Sequence, residues 1–197
     1  PERVPAAGQG TRMFPASKAV KKEFFPVITS DGVAKPLILS IVEEALCGGI
    51  EEGGIVVRPE DEPVLSDFFQ APVAKEKYSR LPAAAQAYCE RLPELGSRIT
   101  FIHQSEQRGF GHAVYCANEW VGGEPFLLLL GDHLFVSSTA RSCSAQLVQA
   151  WQQHPACSTL GTFPARLTDV SHYGTVKCRV PAESADLYPM LKKKKKP

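Results

Sequence analysis

At 197 residues, with 44% hydrophobic and 22% charged side chains, the chain can bury one sizeable core, a balance that argues against a disordered polypeptide. Formal net charge is +1, but five cations form a terminal run at residues 192–196; the rest is mildly acidic and lacks the broad basic surface that counterion-release binding to nucleic acid needs. No apolar run approaches the roughly 20 residues of a membrane-spanning helix and Pro1-Glu2-Arg3-Val4-Pro5 offers no signal-peptide core, so a cytoplasmic chain with no nucleic-acid and no membrane partner is expected.

In chain order, residues 3–7 read as the end of a strand. Leu37, Ile38, Ile41, Val42, Ala45 and Leu46 recur with a helical period, and Gly48-Gly49 supplies the stop. Ile55-Val56-Val57 predicts a short buried strand, and residues 64–69 one or two helical turns. The Ala-rich stretch 82–92 predicts a helix, 99–102 a strand and 111–120 a helix. Residues 126–130, Phe-Leu-Leu-Leu-Leu, are apolar on both faces, which predicts a central parallel strand covered by helices. A helix over 140–152 and a late strand over 174–178 follow. Cys47, Cys89, Cys116, Cys143, Cys157 and Cys178 form no Cys-x-x-Cys pair and several fall in apolar periodic segments, so they are expected as reduced core thiols. This alternation predicts an α/β fold, a doubly wound, mostly parallel sheet with right-handed crossovers. Such sheets bind ligands beyond the carboxyl ends of their strands, at a switch point.

The chemistry-bearing motifs fall just after the strands. Gly8-Gln9-Gly10-Thr11-Arg12 follows the first. Its two glycines let backbone N–H groups close on phosphate oxygens, and Arg12 adds a planar cationic fork. A structural turn has the same composition, and the spacing leaves both readings open. Lys18 and the run Lys21-Lys22-Glu23 come next; a lysine run is usually a solvated face, but polyphosphate chemistry also needs several cations. Between a strand and a helix lies Gln104-Ser105-Glu106-Gln107-Arg108-Gly109-Phe110-Gly111-His112. An amide that donates and accepts suits a pyrimidine edge, and a glycine lets the backbone approach the base. His112 reads more simply as a helix-start packing residue. Leu130-Gly131-Asp132-His133 puts a carboxylate at the end of the most apolar strand, where it can hold Mg²⁺ against phosphates or cap the next element. Tyr173, just before Gly174 and the late strand, suits core packing.

Taken together, Pro5-Ala6-Ala7-Gly8-Gln9-Gly10-Thr11-Arg12-Met13-Phe14-Pro15-Ala16-Ser17-Lys18 and Lys22-Glu23-Phe24-Phe25-Pro26-Val27 resemble the signature of sugar-1-phosphate nucleotidylyltransferases. The match is closest to the bacterial-type UTP–glucose-1-phosphate uridylyltransferase branch. Lys35-Pro36-Leu37-Ile38 and Val42-Glu43-Glu44-Ala45 match the family segment that follows. The resemblance implies a Rossmann-like nucleotide-diphospho-sugar transferase fold, incomplete at the C-terminus. Residues 1–191 would be the N-terminal two-thirds of that domain and 192–197 a Lys-rich tail. It further implies that Gly8, Gly10, Thr11 and Arg12 hold the nucleoside triphosphate, that Arg12 and Lys22 are the catalytic cations, and that Gln104 and Gly109 recognise uracil. Asp132 would bind Mg²⁺ and Gly174 would line the sugar site. The implied enzyme joins UTP to glucose 1-phosphate, the sugar phosphate attacking the α-phosphorus to release UDP-glucose and pyrophosphate. Whether it is a homo-oligomer is left open. Two other readings also stay open: a catalytically incomplete nucleotide-binding domain acting as an interaction or regulatory module, and a nucleotidylyltransferase for another base or sugar phosphate.

Overall fold

The structure, a computed structural model, describes residues 2–5, 13–29, 31–178 and 190–194. Strand β1 (Glu2–Pro5) precedes the short helix α1 (Ala16–Ala19), a 3-10 turn at Lys22–Phe24 and an antiparallel pair, β2 (Pro26–Ile28) with β3 (Ala34–Pro36). Helix α2 (Leu37–Cys47) leads into β4 (Gly53–Val57). Three helices, α3 (Glu62–Gln70), α4 (Lys75–Tyr78) and α5 (Ala83–Ser97), then lead to β5 (Ile99–His103). Helices α6 (Phe110–Cys116) and α7 (Asn118–Val121) precede β6 (Leu127–Leu128). Helix α8 (Cys143–Gln153) begins in the first of two compact units, Pro1–Val148, and ends in the second. The second, Gln149–Pro197, holds a 3-10 turn at Leu167–His172 and the antiparallel pair of β7 (Thr175–Cys178) with β8 (Met190–Lys194).

The first unit is built on a four-stranded sheet in the order β5-β4-β1-β6, every pairing parallel. From β1 the chain moves outward to β4 and β5, then returns to the other side of β1 for β6. That reversal is the switch point of a doubly wound α/β sheet, where ligands lie beyond the strand ends. Alternation along β4 explains why helices cover both faces. Ile55 and Val57 join the main core with α2, Leu65, Phe69, Leu95 and Leu129, while Val56 packs with Ala113, Ala117 and Ile102 on the opposite face. Helix α2 buries a wide apolar face through Leu37, Ile38, Leu39, Ile41, Val42 and Ala45, while Glu43 and Glu44 are half-buried and Cys47 is exposed.

The structure corrects four expectations. The 126–130 run pairs only through Leu127 and Leu128, and among the described residues it stands at the sheet edge, not its centre. An apolar run reports buried side chains, here Leu129 above all, and says nothing about which strands flank it. The helix over 82–92 runs on through Pro93 to Ser97, which lets Leu95 reach the core and Gly96 lie against Phe69. The helix over 111–120 is two helices broken at Ala117. The described cysteines are free but not core thiols: Cys47 and Cys157 are exposed and Cys89, Cys116 and Cys143 half-buried, since Cys47, Cys116 and Cys143 fall at helix ends. Among the described residues no helix is long and apolar enough to cross a membrane.

Candidate functional site

Beyond β6 the chain turns sharply, the His133 N–H donating to the Leu130 carbonyl at 3.2 Å. Gly131 is buried in this turn, whereas the Asp132 side chain is 44% exposed. Lys22 reaches it from the first 3-10 turn. Its ammonium lies 3.2 Å from Asp132 Oδ2 and 3.8 Å from Glu23 Oε1, although 110 residues separate Lys22 from Asp132 along the chain. Only 11% of the Lys22 side chain is exposed, so solvent screens its charge weakly.

Two further ion clusters hold this turn in place. Lys21 pairs with buried Asp61, which Arg58 also grips through Nε at 2.9 Å and Nη2 at 3.0 Å. Arg58 directly follows Val57, so the cluster ties the lysine turn to the carboxyl end of β4. Lys35, buried on β3, lies 3.0 Å from both Glu43 on α2 and Asp31, and 5.0 Å from the centre of the Tyr88 ring on α5. Burial opposes its charge, but Tyr88, Glu43 and Asp31 outweigh that and hold its pKa above the usual lysine range. The Leu37 N–H donates to the Phe25 carbonyl at 3.0 Å, completing the link from hairpin to core helix.

Glu23 lies beneath the pair, 3% exposed, and its Oε1 has no hydrogen-bond partner among the described residues. Burial pushes its carboxyl up to about 7, against the pull of Lys22 and Lys21. The sequence alone does not single out Glu23, Asp61 or Lys35 as buried charges. The one available signal for Glu23 is a carboxylate set between two lysines and two phenylalanines. Asp61, in a Pro-Glu-Asp-Glu string, reads as an ordinary acidic helix start.

At the far end of the rim, Gln104 follows the last residue of β5 and its backbone N–H donates to the Val57 carbonyl at 2.8 Å. Its side chain is buried, and Nε2 donates to the Gly109 carbonyl at 3.2 Å and to His112 Nδ1 at 3.1 Å. Gly109 has φ +93°, with nothing within 4 Å of where a Cβ would stand. It is both a backbone position that favours glycine and an open approach to the main chain.

The structure therefore brings together Lys22 with Asp132, and Gln104 with Gly109 and His112. At ordinary strand spacing β5 and β6 stand about 14 Å apart, with β4 and β1 between them. The glycine motif follows β1 in the sequence, but Gly8, Gly10, Thr11 and Arg12 lie outside the described residues. Lys18 is exposed on α1. Gly174 is exposed in the second unit, next to Tyr173, whose ring meets Phe163 edge-on at 5.1 Å.

The family model described as "Nucleotidyl transferase" matches residues 4–187. A UTP–glucose-1-phosphate uridylyltransferase of Streptococcus pyogenes is 37% identical over 177 residues, which cover 88% of this chain and 55% of that protein. A Bacillus subtilis (strain 168) protein of the same name is 35% identical over 175 residues, with 88% and 56% covered. The chain thus spans about half the length of these curated relatives. Among solved structures, an apo UDP-glucose pyrophosphorylase superposes with a TM-score of 0.81 at 28% identity, over 100% of this chain and 69% of that one. A UDP-glucose pyrophosphorylase complexed with UDP-glucose gives 0.79 at 27% identity, over 100% and 68%.

Proposed function

The chain belongs to the nucleotidyl transferase family, and from that premise we propose that it makes a nucleotide sugar, converting UTP and glucose 1-phosphate to UDP-glucose and pyrophosphate. The observation that carries this reading is the meeting of Lys22 and Asp132 at 3.2 Å beyond the switch point. A weakly screened ammonium beside a half-exposed carboxylate suits a polyphosphate held with a divalent ion. The names of the relatives support the choice of substrates.

In this mechanism Lys22 neutralises charge that builds on the α-phosphate and the departing pyrophosphate, where its shielded position gives it most effect. Arg12 takes the same task from the glycine loop, and Gly8, Gly10 and Thr11 turn backbone N–H groups to the phosphates. Asp132 is the residue that would hold Mg²⁺. One accessible carboxylate fits an ion that takes its other ligands from phosphates and water, and among the described residues no three His, Cys, Asp or Glu side chains gather into an all-protein cage. When bound, that ion would neutralise further charge on the phosphate oxygens. Gln104 and Gly109 contact uracil, and Gly174 lets the sugar approach the backbone. The sugar phosphate is already an anion, so the attack needs no protein base. A cytoplasmic location goes with these substrates.

Pyrophosphate release from UTP and glucose 1-phosphate, with Mg²⁺ present, tests the proposal. Release that Lys22→Ala and Asp132→Ala leave untouched would sink it. UTP binding without release would instead favour a nucleotide-binding module that acts by association.

A further inference from the structure

On the proposed reading of Gln104 as the base-contacting residue, we infer that His112 sets the base preference by fixing which end of the Gln104 amide a nucleotide meets. A primary amide carries two donor hydrogens on nitrogen and an acceptor oxygen, and rotation about its last torsion exchanges the two ends. The Gly109 carbonyl can only accept, so it draws Nε2 to its side at 3.2 Å. That carbonyl also accepts from the Ala113 N–H at 3.1 Å, so it is a shared anchor. His112 Nδ1, at 3.1 Å, engages the second amide hydrogen, which requires the tautomer with the ring hydrogen on Nε2. His112 is steadied from its own helix by Cys116, whose Sγ lies 3.8 Å from Nδ1 and 3.9 Å from Nε2.

With both hydrogens engaged, Oε1 is the atom through which Gln104 meets a ligand, and it only accepts. Uracil presents the N3–H that such an atom needs. Cytosine presents a bare N3 at the same place, so lone pair would face lone pair, and at 3% exposure little water can relieve the mismatch. Thymine carries the same N3–H, so the device separates uracil and thymine from cytosine and leaves uracil and thymine alike. His112 is thus a positioning residue for specificity, not a catalytic one.

The test is equilibrium binding of UTP and of CTP, with Mg²⁺, to the full chain and to His112→Ala and His112→Asn, read by calorimetry. Asn places its Oδ1 close to where Nδ1 stood and keeps the acceptor. The wild-type chain is expected to prefer UTP. His112→Ala is expected to shrink the UTP:CTP affinity ratio about tenfold, the weight of one hydrogen bond, while His112→Asn restores it. An unchanged ratio in His112→Ala, with UTP still bound, overturns the role of His112 and leaves the base site standing. A wild-type chain that binds neither nucleotide, or both alike, removes the base-contacting assignment of Gln104 and the role of His112 with it. Should His112→Ala not fold, His112→Phe deletes the same acceptor while keeping the ring's volume, and its ratio decides in the same way.

Discussion

Lys22 stands between two carboxylates of opposite exposure, Asp132 open to solvent and Glu23 buried. Removing the ammonium by Lys22→Ala is expected to lower turnover of UTP and glucose 1-phosphate by about 10²–10³-fold, the usual cost of one preorganised charge-stabilising group. His112→Ala should cost far less with UTP as substrate; steady-state kinetics on both variants would reveal any inversion of that order. Glu23 yields a different prediction. Its folded carboxyl sits at about 7 against an ordinary 4.5, so the folded state holds the proton more tightly than the unfolded one. Its contribution to stability is therefore greatest below pH 4.5 and is lost as pH rises through the interval up to about 7. Glu23→Gln removes that dependence, and at pH 8 it should be more stable than the wild type by up to about 3 kcal/mol, shrinking toward acid pH. Urea midpoints of the two proteins at pH 5 and pH 8 measure this, and a wild type ahead at pH 8 contradicts it. Lys22 and Asp132 stand out in the sequence as candidates because Lys22 comes soon after the glycine motif and Asp132 just after an apolar run. Glu23 does not, because burial of a carboxylate depends on what packs over it, and a Lys-Lys-Glu string looks solvated when read alone.

Strands and helices were legible wherever period and punctuation agreed. Helix α2 has both, an apolar period ended by Gly48-Gly49, and its reading needed little change. The β2–β3 pair has neither a long alternation nor a two-residue turn, and it was not foreseen. The break between α6 and α7 at Ala117 is equally silent in the local sequence. Trp120 on α7 packs over Gly54 of β4 so closely that a Cβ there would stand 2.8 Å from its ring and 2.8 Å from Ile102. Gly54→Ala should therefore cost about 1–3 kcal/mol through overpacking, visible as a lower urea midpoint with unchanged slope. An unchanged midpoint would mean that the indole shifts at no cost.

For the whole molecule, strand–helix alternation was enough to foresee a doubly wound, parallel sheet. The position of β6 at the described sheet's edge was hidden, since hydrophobicity does not encode neighbours. A nucleotide spanning Gln104 and Lys22 would bridge segments far apart in the chain, so UTP with Mg²⁺ should stabilise the fold as a unit. At a hundred times its Kd the gain is about 2.7 kcal/mol, or roughly 5–10 °C in Tm for a chain of this size. Lys22→Ala should reduce the shift, and scanning calorimetry with and without nucleotide would detect a shift that stays the same.

The sheet order also has a consequence during synthesis. β1 takes its hydrogen bonds from β4 on one side and β6 on the other, and both leave the ribosome after it, so at ordinary elongation rates it waits several seconds with both edges open. Two charges and a proline in Glu2-Arg3-Val4-Pro5 make it a poor template for stray β-pairing while it waits.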